Sequence, residues 1–248
     1  MKGSFTRLGR LGRLGRLGLG GFVARELGAY ALHGALGVGP RRGRKPGEGP
    51  VVVFIHGHGG SGGAFGPLER ALGKAAPGMG FAAWEYRARG SVAGLAARLA
   101  DWARASAGAE LHVVAHSVGG ILARVWLQEL GGRESVRSLT TLSTPHQGLA
   151  QLPGASLVPL VREIGPGSEL IARLGASVDA LAGLPCLSIV STRDHFVRPW
   201  QRAAFGDARL VPVSDVGHVG VLFSKTVHGL VAEHVAAAAT TAAAATSR

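Results

Sequence analysis

The sequence predicts an α/β fold with a mostly parallel central sheet covered by helices on both faces. Short, continuous apolar runs such as Val51–Ile55 and Leu111–Ala115 suit strands buried on both sides. They alternate with segments whose apolar residues recur at helical spacing, the pattern of strand–helix–strand units. The chain has 248 residues, 46% of them hydrophobic and 17% charged. That is enough apolar material for one large core, and it excludes a disordered chain.

The net charge of +12 is unevenly placed. Residues 1–50 hold ten Lys/Arg against two Glu, whereas the other 198 residues hold 17 basic against 13 acidic groups. A nucleic-acid platform needs its charge on the folded body, so no nucleic-acid partner is expected. Residues 1–49 read instead as a basic N-terminal appendage and linker. Arg7–Gly18 repeats Arg-Leu-Gly every three residues, a period that matches neither helix nor strand. Its glycines would each cost a helix about 1 kcal/mol. Residues 22–38, with Phe22, Val23, Leu27, Tyr30 and Leu36, are better helix material. A flexible tail with a short packing helix is the expectation; a basic segment lying on an anionic membrane surface is the alternative. Arg25 and Glu26 interrupt the apolar stretch a signal peptide needs. No run reaches the ~18 apolar residues of a membrane span. A cytoplasmic or membrane-associated location is therefore expected rather than secretion. Pro40–Pro50, rich in Pro, Gly, Lys and Arg, ends the appendage.

The body, residues 50–235, opens on the Val51–Ile55 strand. Phe81–Tyr86 is a second strand. Ser91 can cap a helix with Val92, Leu95, Leu99 and Trp102 on one face. Leu111–Ala115 is a third strand, followed by a helix from about Ser117 to Leu130 that Gly131-Gly132 ends. Val136–Ser143, Pro185–Ser191 and Leu210–Val213 supply further strands. The single cysteine, Cys186, lies in one of these and is read as a buried strand thiol with no disulfide partner. Ala236–Thr246 is nearly all Ala and Thr, so 236–248 reads as a low-complexity tail extending the last helix.

Chemistry in parallel sheets gathers at the carboxyl ends of the strands, and the informative residues lie there. Ala115-His-Ser117-Val-Gly119-Gly120 sits between a strand and a helix. A sharp turn at that junction lifts the middle side chain above the sheet, and the residues two positions away must be small. Ser also caps helices, but small residues on both sides make Ser117 a candidate nucleophile. After the first strand comes His56-Gly-His58-Gly-Gly-Ser61. Its glycines let the backbone approach a substrate, so the His58 and Val118 amides are candidate donors to an oxyanion. No Gly-Lys-Ser/Thr follows, which argues against a phosphate loop. His56-x-His58 lacks further ligands nearby, so neither metal nor cofactor is expected.

A serine hydroxyl needs a base. His218, in a Gly-flanked loop after the last strand, is the candidate. His116, His146, His228 and His234 are less well placed. An acid should orient the imidazole. Asp194, after a strand and before His218, fits the order Ser117, Asp194, His218, and Asp215 is the alternative.

Together these elements resemble bacterial lipases and esterases of the α/β-hydrolase superfamily. The shared motifs are His56–Ser61, Ala115–Gly120 with Arg124, Leu142-Ser-Thr-Pro-His-Gln-Gly148, Asp194-His-Phe-Val-Arg-Pro199 and Gly217–Leu222. They cover about residues 51–230 in order, but not residues 1–45. Ala115 stands where Gly is usual, and His58 where an apolar residue is frequent. The resemblance implies the α/β-hydrolase fold with a short cap over residues 149–182. It also implies a Ser117–His218–Asp194 triad, a His58/Val118 oxyanion hole, no cofactor, and hydrolysis of small-molecule or lipid carboxylic esters through an acyl-enzyme. A thioesterase or acyltransferase on the same triad is the alternative within the fold. A non-catalytic, membrane-associated binding module is the alternative outside it.

Overall fold

The computed structural model describes residues 19–36, 49–106, 110–149 and 159–246. The Arg-Leu-Gly repeat, most of the Pro40–Pro50 linker, and Leu152, Leu157 and Val158 of the expected cap lie outside the described residues. An N-terminal helix, α1 (Leu19–Leu36), precedes six strands: β1 (Val51–Ile55), β2 (Gly80–Trp84), β3 (Leu111–His116), β4 (Val136–Leu142), β5 (Cys186–Ser191) and β6 (Arg209–Val213). Between and after them run α2 (Gly66–Ala75), α3 (Val92–Ser106), α4 (Val118–Glu129), α5 (Pro159–Glu163), α6 (Glu169–Ala176) and α7 (Lys225–Thr246).

All six strands are parallel, in the order β2-β1-β3-β4-β5-β6. Strand side chains alternate faces, so each strand feeds two cores. Val51, Val53 and Ile55 of β1, with Leu111 and Val113 of β3, pack on one face beneath α3 and α4. Val52 and Phe54, with Val114, pack on the other face against Phe65, α2 and α7. That double burial is why these strands read as unbroken apolar runs rather than alternating ones. Pro212 is tolerated because β6 is an edge strand.

The local signals place the helix ends as expected. The Ser91 hydroxyl accepts from the Gly94 amide at 3.1 Å ahead of α3. Gly131 follows α4 in the left-handed region, φ 77°. The Ala/Thr stretch continues α7 to Thr246. Cys186 opens β5 half-buried, and burial pushes its thiol up to about 12. Among the described residues no helix is long and apolar enough to cross a membrane.

In this order the chain leaves β1 toward β2 on one side, then returns to β3 on the other. Loops from the carboxyl ends of β1 and β3 therefore diverge and open a crevice between them.

Candidate active site

Ser117 occupies the turn between β3 and α4 at φ 53°, ψ −127°. A non-glycine residue there costs of order 1–3 kcal/mol, so the surroundings must hold it. Its amide donates to the Leu142 carbonyl at 2.9 Å, and its carbonyl accepts from the Thr144 hydroxyl at 2.9 Å. The turn is closed on its neighbours. A Cβ on Gly119 would lie 2.4 Å from the Ile55 carbonyl oxygen, and one on Gly120 2.2 Å from Thr144 Oγ1. Ala115 is fully buried between Ile55 of β1 and Thr141 of β4. Its methyl joins the core on the α3–α4 face, so the departure from glycine fills space in that core.

His218 stands in the loop after β6. Its Nδ1 lies 2.8 Å from Asp194 Oδ2 and its Nε2 lies 3.1 Å from Ser117 Oγ. A carboxylate accepts only, so the ring proton sits on Nδ1 and the Nε2 lone pair faces the serine hydroxyl. Asp194 Oδ1 accepts from the Phe196 and Val197 amides at 2.8 and 3.0 Å. Burial acts to raise the Asp194 pKa. The hydrogen bond and charge of His218, with the two amides, outweigh that and hold it below the usual carboxylate value. Asp215, the alternative acid, instead meets the Arg25 guanidinium at 3.9 Å.

Neighbours the sequence reading passed over hold the loop that carries His218. Buried His116 donates from Nε2 to the His218 carbonyl at 3.0 Å. From the other side Glu26 of α1 accepts from the Gly217 and Gly220 amides at 2.9 and 3.0 Å. Tyr30 Oη lies 3.0 Å from His195 Nε2, beside Asp194. Thus α1, which composition sets apart from the body, reaches the site with three side chains, since His33 also borders it. Glu26, the one acid in α1, was the available signal, although beside Arg25 it reads equally as a break in the apolar stretch of a signal peptide.

The loop after β1 comes against the serine: a Cβ on Gly57 would lie 2.9 Å from Ser117 Cβ. His56 Nδ1 donates to the Gly57 carbonyl at 2.8 Å, and Nε2 accepts from the Tyr86 amide at 3.4 Å. Both ring nitrogens are thereby engaged within the protein, and the ring stacks on Tyr86 at 4.2 Å. Among the described residues no group of three or more His, Cys, Asp or Glu is placed to hold a metal ion. His58 is exposed, and His58 and Val118 border one cavity of about 300 Å³ with Ser117 and His218. Leu149, Leu160, Val161, Ile164, Phe196 and Val219 make the rest of that cavity largely apolar. Four of these come from residues 149–182, the segment read as a cap. Such an arrangement can activate a hydroxyl, accept its proton, and shelter an apolar group beside it.

Burial also sets how the fold responds to acid. It lowers the His112 pKa to about 4 and that of His116 to about 3. Between the unfolded value of about 6.5 and pH 4, the unfolded chain binds protons that the folded chain refuses. Stability therefore falls as pH falls through this window, with a slope of about 2.7 kcal/mol per pH unit for two such groups. Urea unfolding midpoints followed from pH 7 to pH 4 check this; a flat profile would show that both rings protonate in place.

Solved structures share the architecture. A Burkholderia cenocepacia protein provisionally described as an aryl esterase superposes with a TM-score of 0.61 at 14% identity, covering 79% of this chain and 93% of that one. The mature Bacillus licheniformis lipase gives 0.55 at 16% identity, covering 74% and 90%. A type II thioesterase from the borrelidin biosynthetic cluster gives 0.53 at 20% identity, covering 78% and 94%. At these identities the likeness establishes the α/β-hydrolase fold. No curated protein sequence matches the chain. A family model described as palmitoyl protein thioesterase matches residues 50–178, just over half of it.

Proposed function

The chain belongs to the palmitoyl protein thioesterase family, and from that premise we propose that it hydrolyses carboxylic esters of apolar acyl groups by way of a Ser117 acyl-enzyme. The observation that carries this reading is the line from Asp194 Oδ2 through the His218 ring to Ser117 Oγ, with steps of 2.8 and 3.1 Å, at the edge of an apolar cavity.

His218 Nε2 takes the hydroxyl proton as Ser117 Oγ attacks the acyl carbonyl carbon. The imidazolium that forms is stabilised by Asp194, which stays ionised. The carbonyl oxygen becomes an oxyanion, received by the amides of Val118, at the start of α4, and His58. One such donor is worth roughly 10²–10³ in rate. Collapse breaks the bond to the leaving group, which takes the proton from His218 Nε2 and departs as an alcohol. Water then repeats the sequence on the acyl-enzyme and releases the acid.

The family assignment favours a second reading on the same residues, in which the leaving atom is sulfur. A thiolate leaves more easily than an alkoxide, so less depends on proton delivery by His218. Oxygen esters and thioesters of matched acyl length separate the two readings: a kcat/KM ratio strongly on the thioester side would support the second. Within either series, kcat/KM is expected to rise about fourfold per added methylene until the cavity is full, from about 0.8 kcal/mol per buried CH₂. Rates that are highest for acetyl and fall with length would remove the cavity from acyl binding.

A further inference from the structure

Five large hydrophobic side chains are exposed among the described residues, and four of them lie on α1: Val23, Leu27, Tyr30 and Leu32. Val23, Leu27 and Tyr30 are spaced i, i+4, i+7 and form one stripe. Leu27 is 65% exposed. The other exposed residues of the helix are Ala24, Arg25, Gly28, Ala31, Gly34 and Ala35. The helix carries two charged residues, Arg25 and Glu26. Glu26 is buried against the His218 loop and Arg25 reaches Asp215, so neither interrupts the stripe. An apolar face left in water on an 18-residue helix marks an interaction surface.

Its position and flanks indicate what it meets. Tyr30, at one end of the stripe, borders the cavity beside Ser117, as does His33. Glu26 and Tyr30 lock the helix to the loops of His218 and Asp194, so whatever covers the stripe lies at the cavity mouth. The sequence before the helix, residues 1–18, has five Lys/Arg and no acid; residues 37–48 after it have four Lys/Arg and one Glu. Apolar side chains between cationic flanks complement an anionic lipid surface, where each basic residue strengthens attachment about fivefold.

We propose that the outer face of α1 docks the protein on an anionic bilayer, with the cavity mouth turned to the lipid so that acyl substrates enter from the membrane. The delivery of acyl groups rests on the hydrolase reading above; the docking does not.

The experiment is co-sedimentation of the full chain with phosphatidylcholine vesicles, with and without phosphatidylglycerol, at low and high salt. The wild type is expected to pellet with the anionic vesicles, less so at high salt. A Val23→Glu/Leu27→Glu variant should bind about tenfold more weakly or worse, with thermal melting as the check on folding. Arg7, Arg10, Arg13 and Arg16→Gln, which precede α1 in the sequence, should lower binding by about 600-fold at low salt, which keeps the test open if the first variant fails to fold. Wild type left in the supernatant, or equal binding by wild type and both variants, overturns the proposal. So does a wild-type dimer that the Glu variant makes monomeric without vesicle binding, which would assign the stripe to a second copy. Because binding is read without turnover, an inactive protein that still pellets would count against the hydrolase reading alone.

Discussion

Ser117→Ala is expected to lower turnover of a chromogenic ester by on the order of 10⁶. The expectation follows from geometry: the hydroxyl is the group 3.1 Å from His218 Nε2, and an alanine offers nothing to deprotonate. The residual rate over water, roughly 10³, would come from the oxyanion donors and binding. The substitution is also a clean one. Alanine and serine pay a similar backbone cost at φ 53°, and the Leu142 and Thr144 hydrogen bonds use the backbone of residue 117. Loss of activity with an unchanged melting curve, together with loss of fluorophosphonate labelling, is the expected outcome. Ester hydrolysis at the wild-type rate in Ser117→Ala would remove the serine from the mechanism.

Asp194→Asn should reduce kcat by about 10⁴, the cost of the equivalent change in serine proteases. The Asn carbonyl can replace Oδ1 as acceptor for the Phe196 and Val197 amides, which leaves an amide NH₂ facing His218 Nδ1. That group donates, so the ring proton moves to Nε2 and the lone pair facing Ser117 is lost. Asp215→Asn is the companion variant, because Asp215 is the alternative acid that the sequence offers. With its carboxylate turned to Arg25 at 3.9 Å, its removal should change kcat by less than about threefold, the size of a weak exposed ion pair. Steady-state kinetics on both variants decide the matter, and the reverse ranking would move the acid role to Asp215.

The choice between the acids shows where the sequence stopped being legible. Each lies after a strand, on the correct side of His218 in chain order. Their difference arises from how the ends of β5 and β6 are joined. The Ser191 hydroxyl donates to the Val216 carbonyl and accepts from the Arg193 amide, which sets the Asp194 loop beside the His218 loop. Local composition carries no trace of that contact. His116 is a similar case: it was readable as a neighbour of the nucleophile, but its bond to the His218 carbonyl spans 102 positions. The contacts of Glu26 with Gly217 and Gly220 span 191 and 194.

What the chain order determined by itself was the parallel sheet, the turn at Ser117, the glycine loop after β1, and the candidates His218 and Asp194. Each is written in a few adjacent residues, because strand burial, turn strain and close backbone approach act over short distances. What the tertiary structure alone decided was which carboxylate meets the imidazole, which amides and carbonyls steady its loop, and that α1 borders the cavity. Those depend on distant segments being brought together by the packing of two cores around one sheet, and no short-range pattern encodes a distance between loops.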